Sequence, residues 1–222
     1  MRVVLIGPPG AGKGTQAAAL RIRLGVPHIS TGDMLREAIS ARTVVGEKAR
    51  GIVEAGRLVP DDVMAEIVRE RLEAPDAVGG FLLDGYPRNL DQAQTLDGIL
   101  EGRGKGLDHV LHLALEDSEI IRRLSGRRTC ESCNAPYHVT SAPPRMAGRC
   151  DVCGGRLAQR PDDKEEVVAE RLKLFRERTQ PLVDFYRKRG VLRDVDATGS
   201  ITQVQGRLEA ALGEARIGGA SR

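Results

Sequence analysis

The sequence predicts an α/β fold in which helices flank a five-stranded parallel sheet. Short apolar, β-branched runs alternate with longer stretches of helical spacing along most of the chain, and this alternation is typical of a parallel sheet covered by helices on both faces. The chain has 222 residues, of which 41% are hydrophobic and 29% are charged. That composition excludes a wholly disordered chain, a collagen and a disulfide-rich mini-protein.

Five short apolar runs are the predicted strands. The first, residues 2–6, is rich in valine and isoleucine and stops at Gly7, which is typical of a buried strand. The other four runs are residues 27–29, 81–83, 110–115 and 191–195.

Apolar residues recur at helical spacing between these runs. The predicted core helices are residues 14–24, 61–72, 90–100, 118–124, 164–189 and 201–212. Asp162 precedes the fifth of these helices and Glu165 follows it by three residues, which predicts a capping box.

Two stretches interrupt the alternation and predict insertions. Residues 30–59 hold two short helical patterns, whereas residues 126–163 carry all four cysteines and are rich in glycine, proline and arginine. The predicted core domain therefore consists of residues 1–29, 60–125 and 164–222.

A glycine-rich loop, residues 7–15, lies between the first strand and the first helix. Its glycines allow backbone N–H groups to surround a phosphate, the helix N-terminus favours negative charge, and Lys13 can reach the β and γ phosphates. The loop matches G-x-x-x-x-G-K-[ST] except that Gly14 occupies the last position, so we expect no direct Mg²⁺ ligand there. The motif predicts nucleoside triphosphate binding, but GTPases, ATPases and kinases share it. The alternative is a glycine-rich turn that binds no ligand.

Polar residues follow the predicted strand at residues 81–83. Ligands gather at the carboxyl ends of parallel strands, so Asp84 is a candidate for the Mg²⁺ shell and Arg88 for phosphate binding. The alternatives are a turn-forming role for Asp84 and a solvated loop charge for Arg88.

Four cysteines form two C-x-x-C pairs, Cys130 with Cys133 and Cys150 with Cys153, separated by 16 residues. This spacing predicts a structural Zn²⁺ site with four thiolate ligands. Iron is the alternative metal, and disulfides are less expected in a cytoplasmic protein. Because the protein supplies all four ligands, the metal has no open position for catalysis.

Three segments, residues 7–16, 30–36 and 81–92, resemble the adenylate kinase family, specifically the bacterial long form with a zinc-bearing lid. The most specific of them is Asp84-Gly85-Tyr86-Pro87-Arg88 followed by Gln92, and the resemblance extends from residue 1 to about residue 212. It implies a P-loop nucleoside monophosphate kinase fold, with residues 30–59 as the AMP-binding insertion and residues 126–163 as the lid. It also implies the reaction ATP + AMP ⇌ 2 ADP with Mg²⁺, by in-line transfer with lid closure.

The resemblance also implies roles for individual residues. The ATP-binding set is Gly10, Ala11, Gly12, Lys13, Gly14, Thr15, Arg127, Pro136 and Tyr137. The AMP-binding set is Thr31, Arg36, Arg57, Leu58, Val59, Gly85, Tyr86, Pro87, Arg88, Gln92, Arg160 and Arg171. The catalytic set is Lys13, Asp84, Arg88, Arg123, Arg127, Arg160, Asp162, Asp163 and Arg171. Phosphoryl transfer needs positive charge around the moving group, which explains the arginines. We expect Arg122 and Arg128 to be solvated instead.

Charge and hydropathy limit the partners and the location. The net charge of +3 is too small to indicate a nucleic-acid binder. No apolar run approaches the roughly 18 residues of a membrane span, and the five residues before the glycine-rich loop are too few for a signal peptide. We therefore expect a cytoplasmic monomer that binds ATP, AMP and ADP, with no nucleic acid or membrane partner.

Two alternatives remain at this stage. A kinase for another monophosphate, such as GMP or UMP, would share the loop and the arginines. A nucleotide-switched protein whose zinc module binds nucleic acid is supported by the two C-x-x-C pairs and a pI of 8.8, but it leaves residues 84–88 without a role.

Overall fold

The computed structural model describes residues 1–213 of the chain. Its strands in chain order are β1 (Arg2–Ile6), β2 (His28–Ser30), β3 (Phe81–Asp84), β4 (His109–Ala114), β5 (Arg127–Cys130), β6 (Pro136–His138), β7 (Leu157–Ala158) and β8 (Leu192–Asp196). Its α-helices are α1 (Lys13–Leu24), α2 (Thr31–Ser40), α3 (Val44–Glu54), α4 (Asp61–Glu73), α5 (Leu90–Glu101), α6 (Asp117–Gly126), α7 (Glu165–Leu174), α8 (Pro181–Lys188) and α9 (Ile201–Gly213). The predicted end of the core domain, residues 214–222, lies outside the described residues.

The core is a five-stranded parallel sheet, as predicted, and its strand order is β2-β3-β1-β4-β8. In β1, Val4 and Ile6 face an apolar cluster that includes residues of α4, α5 and α8. Val3 and Leu5 face the opposite cluster, which includes residues of α1 and α9. Both faces of the strand are therefore buried, which explains its unbroken apolar sequence.

The sheet places three candidate segments at one edge. Leu5 of β1 pairs with Asp84 of β3, so the glycine-rich loop and the Asp84–Arg88 turn leave neighbouring strands in the same direction. Ser30 of β2 pairs with Asp84 as well, so α2 also begins at that edge. This is the carboxyl edge at which parallel sheets bind ligands.

The first insertion contains α2 and α3 and no strand, as predicted, apart from Ser30, which ends β2. The two helices touch at Gly46, where an added Cβ would overlap the carbonyl of Ala38 and lie 2.6 Å from the Ile39 nitrogen. Glycine is required there because the neighbouring atoms are backbone and cannot rotate away.

The second insertion contains a three-stranded antiparallel sheet in the order β6-β5-β7. All four cysteines lie between the start of this insertion and β7, with Cys130 and Cys150 buried and Cys133 and Cys153 exposed.

Two local predictions are wrong. The helix predicted over residues 164–189 is divided into α7, a π-helical segment (Phe175–Thr179) and α8. The division occurs before Pro181, which lacks an N–H group, and the Gln180 N–H bonds the Phe175 carbonyl at 2.8 Å. The predicted capping box is also wrong. Asp162 lies in a 3₁₀ turn (Pro161–Asp163), α7 begins without a side-chain cap, and the Asp162 carboxylate bonds Arg171 instead.

Within residues 1–213, every helix is too short or too polar to cross a membrane.

Candidate active site

The glycine-rich loop curls into a nest of backbone groups. Gly10 and Gly12 have left-handed φ values of 83° and 92°. A residue with a Cβ would be strained in this backbone conformation. α1 begins at Lys13 without a side-chain cap, so its first N–H groups face the loop. The Lys13 ammonium donates to the carbonyls of Gly7 at 2.7 Å and Pro8 at 3.0 Å. A curved loop at a helix N-terminus with one lysine is a phosphate-binding arrangement.

Asp84 lies beside the start of α1. A Cβ added at Gly14 would lie 3.7 Å from Asp84 Oδ2, so the buried carboxylate approaches the loop closely. Burial lowers the pKa of Lys13 to about 8; Asp84 raises it in part, and Arg88, Arg171 and Arg127 lower it further. The ammonium therefore lies in a site crowded with other cations.

Arg88 is held by its own turn and by two neighbouring helices. Its Nε donates to the Gly85 carbonyl at 2.8 Å, and its backbone N–H donates to Gln92 Oε1 at 2.7 Å. Gln92 Nε2 in turn donates to Asp61 Oδ1 at 2.7 Å, which fixes the amide's orientation. Thr179 Oγ1 donates to the Arg88 carbonyl at 2.8 Å. Burial and the nearby Arg171 lower the pKa of Arg88 to about 10.

Two adjacent carboxylates join the ends of the second insertion to α7. Arg127 Nε donates to Asp163 Oδ2 at 2.6 Å, and Arg171 Nη1 lies 3.2 Å from Asp163 Oδ1. Arg171 Nη1 also lies 2.9 Å from Asp162 Oδ2. Burial alone would raise the pKa of Asp162, but Arg171, Arg127 and the other arginines hold it below its usual value.

The first insertion contributes Asp33 and Arg36. Arg36 Nη2 donates to Asp33 Oδ1 at 2.5 Å, and Arg160 Nη2 of the second insertion lies 3.9 Å from the same oxygen. Burial opposes ionisation of Asp33, yet the pKa is lowered because Arg36 and Arg160 stabilise the carboxylate. Burial and the repulsion of Arg36 and Arg127 lower the pKa of Arg160 to about 10.

Cations outnumber carboxylates in this cluster. Six cations, Lys13, Arg36, Arg88, Arg127, Arg160 and Arg171, face four carboxylates, Asp33, Asp84, Asp162 and Asp163. Burial and the neighbouring positive charges lower the pKa values of Lys13, Arg88, Arg160 and Arg171, as expected for desolvated cations that repel one another. A polyanion would relieve this repulsion, so the cluster suits the phosphates of nucleotides.

A cavity beside this cluster lies between the first insertion and the core. Its lining residues are Thr31, Gly32, Leu35, Arg36, Val53, Gly56, Arg57, Leu58, Val59, Met64, Gly85, Arg88, Gln92, Asp162 and Arg171. Apolar side chains of α2, α3 and α4 form one part, and Arg36, Arg88 and Arg171 form another. This combination fits a ligand with a flat apolar body and an anionic group.

The four cysteine Sγ atoms lie within 4.8 Å of one another. The Sγ atoms of Cys130 and Cys153 are 3.5 Å apart, as are those of Cys133 and Cys150. Four thiolates around a tetrahedral Zn²⁺ with Zn–S bonds of about 2.3 Å lie about 3.8 Å apart. The cluster therefore fits a structural Zn²⁺ site.

The two C-x-x-C segments have the same backbone geometry. The N–H of Asn134 donates to the Cys130 carbonyl at 3.0 Å, and the N–H of Gly154 donates to the Cys150 carbonyl at 2.9 Å. Asn134 and Gly154 both have positive φ values, 58° and 73°. Each pair of thiols is thus presented by the same kind of turn, which supports a shared metal.

Comparison with known proteins agrees with this geometry. A family model described as adenylate kinase matches residues 5–191. An adenylate kinase of Archaeoglobus fulgidus is 49% identical over 96% of this chain and 98% of its own length. Those of Geobacter sp. strain M21 and Streptomyces coelicolor are 50% and 49% identical over 96% of this chain, and 99% and 98% of their own lengths are covered.

The chain belongs to the adenylate kinase family. The predicted family and fold class are therefore confirmed, and the chain is a nucleoside monophosphate kinase. Adenylate kinases bind ATP, AMP and ADP and use Mg²⁺ with ATP.

The structure brings together most residues of the predicted AMP-binding set. Nine of them line the cavity: Thr31, Arg36, Arg57, Leu58, Val59, Gly85, Arg88, Gln92 and Arg171. Arg160 lies beside it and contacts Asp33 and Thr129. Tyr86, by contrast, is 1% exposed and packs into the apolar core, where burial raises its pKa to about 12. The Tyr86 side chain therefore serves packing, and Pro87 follows it through a cis peptide bond.

The arginines around the junction of α6 and β5 differ in their exposure and partners. Arg123 Nη1 lies 3.9 Å from a Cβ added at Gly12, and its Nη2 donates to the Ala197 carbonyl. Arg122 is exposed and bonds Glu119 on the same helix. Arg128 is only partly exposed, in contrast to the expected solvated side chain, and donates to the carbonyls of Ser125 and Arg127.

Tyr137 lies closer to the cysteines than the predicted ATP role suggests. Its hydroxyl is 3.5 Å from Cys150 Sγ and accepts the Asp151 N–H at 2.7 Å. Pro136, the preceding residue of β6, pairs with Thr129 of β5. The phenol end of Tyr137 therefore supports the cysteine cluster.

Sequence reasoning missed several site residues. Asp61 and Thr179 hold Gln92 and Arg88, and Leu35, Val53 and Met64 line the cavity. A π-helical segment is a frequent marker of functional sites, but no sequence pattern predicted the one that ends at Thr179. The apolar cavity residues were indistinguishable from ordinary packing positions of α2, α3 and α4.

Proposed function

We propose that the chain transfers the γ-phosphoryl group of Mg-ATP to AMP and forms two ADP reversibly. One observation carries the proposal. The glycine-rich loop and the apolar cavity border the same buried cation cluster, with Lys13 on one side and Arg36 on the other. Two nucleotides placed there would point their phosphates at each other.

On the ATP side, residues 10–15 would hold the phosphates through backbone N–H groups and the Lys13 ammonium. Arg123 and Arg127 flank this loop and would contact the same phosphates. Asp84 is a buried carboxylate beside the loop and fits a place in the Mg²⁺ shell, directly or through water. The bound Mg²⁺ would supply positive charge to the β and γ phosphates.

On the AMP side, the apolar part of the cavity would hold the adenine. Leu35, Val53 and Met64 would contact its faces, with the Arg57–Val59 segment beside them. Arg36, Arg88 and Arg171 would hold the AMP phosphate through their guanidinium groups, which match phosphate oxygens in pairs.

The transfer itself needs alignment and charge stabilisation. An oxygen of the AMP phosphate attacks the γ-phosphorus in line, and the bond from that phosphorus to the β–γ bridging oxygen breaks, leaving ADP on each side. Arg88, Arg127 and Arg171 would stabilise the negative charge on the moving group. None of these residues takes part covalently.

We further propose that residues 126–163 form a lid and residues 30–59 an AMP-binding insertion, each closing over its nucleotide. The 3.9 Å approach of Arg160 to Asp33 supports this division, because it links the two insertions across the site. Closure would exclude water, which otherwise accepts the phosphoryl group. A Zn²⁺ bound by Cys130, Cys133, Cys150 and Cys153 would stabilise the lid and take no part in transfer.

We propose a monomer, because the glycine-rich loop, the cavity and the cation cluster meet at one edge of a single sheet and form a continuous site. The proposal is tested by incubating the purified chain with Mg-ATP and, separately, AMP, GMP, UMP or CMP, and measuring the diphosphates formed. We expect AMP to be by far the best acceptor. A preference for another monophosphate would replace this assignment with the corresponding kinase. Retention on RNA or DNA at moderate salt with no diphosphate formed would favour the nucleic-acid-binding alternative.

A further inference from the structure

Gly126 lies between two arginines of the proposed ATP site, Arg123 and Arg127, and directly precedes the second. It ends α6, which carries Arg123, and the next residue, Arg127, begins β5. The direction in which β5 leaves α6 at Gly126 therefore sets the separation of Arg123 and Arg127.

The imidazole of His138 lies directly on Gly126. A Cβ added at Gly126 would be 3.0 Å from His138 Cδ2 and closer still to Nε2 and Cε1. Gly126 is the last helical residue of α6 and is not among the glycines with positive φ. Its backbone would accept alanine, so the space taken by the imidazole is the reason that glycine is needed.

The imidazole cannot turn aside without losing hydrogen bonds. Its Nδ1 accepts the backbone N–H groups of Thr140 and Ser141, each at 3.1 Å. Nδ1 is therefore unprotonated and the proton of the neutral ring lies on Nε2, the atom buried against Gly126. The Val139 N–H donates to the Gly126 carbonyl at 2.9 Å and holds the same strand end in place.

We propose that His138 is a positioning residue for phosphoryl transfer. Its ring, fixed by the Thr140–Ser141 turn, wedges against Gly126 and sets the angle between α6 and β5. It thereby aligns Arg123 and Arg127 on the triphosphate. This inference rests on the proposed function, because it takes the ATP-side role of those two arginines as given.

Three variants test the wedge. Gly126→Ala forces a methyl group into the ring, His138→Asn keeps an oxygen acceptor for the turn but removes the ring, and the double variant combines them. We expect Gly126→Ala to lower kcat about tenfold or more and to raise KM for ATP, because small misplacements of binding groups have effects of this size. KM for AMP should change by less than about twofold, because its cavity is formed elsewhere. His138→Asn should lower kcat several-fold by removing the wedge.

The double variant gives the decisive comparison. With the ring gone, the alanine methyl has room, so the double variant should have a kcat within about threefold of His138→Asn alone, a non-additivity that marks direct contact. Gly98→Ala is the matched control, because Gly98 also lies in a helix and a Cβ added there meets no described atom within 4 Å. It should leave both Michaelis constants and kcat unchanged.

Three outcomes overturn the inference: wild-type kinetics for Gly126→Ala, wild-type kcat for His138→Asn, or a double variant as impaired as Gly126→Ala. Thermal unfolding of each variant separates misfolding from misalignment; if Gly126→Ala fails to fold, a folded, active double variant still supports the contact. The wild-type assay keeps this test separate from the proposed function. A wild-type chain that forms no ADP from ATP and AMP contradicts the function itself, whereas an active wild type with an unaffected Gly126→Ala contradicts only the wedge.

Discussion

Arg127 Nε donates to Asp163 Oδ2 at 2.6 Å, which connects the first residue of β5 to the turn that precedes α7. The chain enters the second insertion at one of these residues and leaves it at the other. Asp163 is 1% exposed and also lies 3.2 Å from Arg171 Nη1. One buried carboxylate therefore fixes both ends of the insertion to each other and to α7.

Replacing this carboxylate should affect both stability and turnover. Asp163→Asn keeps the shape but leaves Arg127 and Arg171 undercompensated, and we expect a loss of roughly 2–3 kcal/mol in the free energy of unfolding. We also expect kcat to fall, because the two arginines would no longer be held in place. Urea unfolding and the ADP assay measure the two effects. Asp184→Asn is the control, since Asp184 pairs with Arg187 on the surface and its side chain is 76% exposed; equal losses in both variants would contradict the role of Asp163.

The lowered pKa of Lys13 predicts a pH limit for ATP binding. Burial lowers this pKa to about 8, so the free enzyme loses the ammonium charge as the pH rises through that value. ATP affinity, measured as a dissociation constant between about pH 6.5 and 9.5, should therefore weaken as the pH rises through about 8. Lys13→Gln should bind ATP weakly at every pH, and its affinity should not fall further as the pH rises through about 8. If the Lys13→Gln variant keeps the same pH dependence of ATP affinity, a group other than Lys13 causes that dependence.

The same shift affects folding in the opposite direction. The folded-state pKa of Lys13 lies below the 10.5 of a lysine in water, so between these two values the unfolded chain binds more protons. The contribution of Lys13 to stability therefore rises with pH across that window, from about pH 8 upward.

The apolar residues of the cavity should affect AMP alone. Leu35→Ala and Val53→Ala each remove side-chain contacts from the proposed adenine site, and a loss of about 1.4 kcal/mol of binding corresponds to a tenfold higher KM for AMP. KM for ATP should remain nearly unchanged. Val44→Ala, on the same insertion but 74% exposed, should alter neither constant. Equal effects of Leu35→Ala on both substrates would argue against a separate AMP cavity.

The cysteine cluster should bind one Zn²⁺ per chain, which elemental analysis measures. Residues 126–163 bury few apolar side chains, so the metal should supply much of their folding free energy. Cys130→Ser should therefore lower the melting temperature of the lid more than it lowers turnover at a cool temperature, and a strong chelator with mild heating should act in the same way. A native protein without metal and with four freely reactive thiols would remove the zinc site and leave the kinase assignment intact.

The sheet and its flanking helices were predictable because local patterns determine them. A few consecutive residues are enough to predict the strand at residues 2–6 and the glycine-rich loop before α1, and both occur as predicted. The division before Pro181 was visible in the sequence as a proline. It was overlooked because the apolar periodicity continues through residues 182–186 on the other side.

Pairings between distant residues were not predictable from one sequence. Nothing local to Asp162 indicates that its carboxylate bonds Arg171 rather than capping α7, since both arrangements suit an aspartate before a helix. Asp61 and Gln92 are likewise 31 residues apart and meet only when α4 and α5 pack together. The sequence therefore located the segments of the site better than the contacts within it.

If the buried cation cluster stabilises a phosphoryl group passing from ATP to AMP, removal of the Arg88 guanidinium should slow the transfer itself. The measurement is the rate of ADP formation from Mg-ATP and AMP by Arg88→Ala and by Arg122→Ala, each compared with the wild-type chain. Arg88 lies in the cluster, whereas Arg122 is 58% exposed at its side chain and bonds only Glu119 among the described acidic residues. We predict that Arg88→Ala lowers kcat by about 10²–10³ with the fold intact, the usual effect of losing one donor to a transition state, and that Arg122→Ala is nearly neutral. A folded Arg88→Ala enzyme with wild-type turnover would show that the cluster does not stabilise the transferred phosphoryl group.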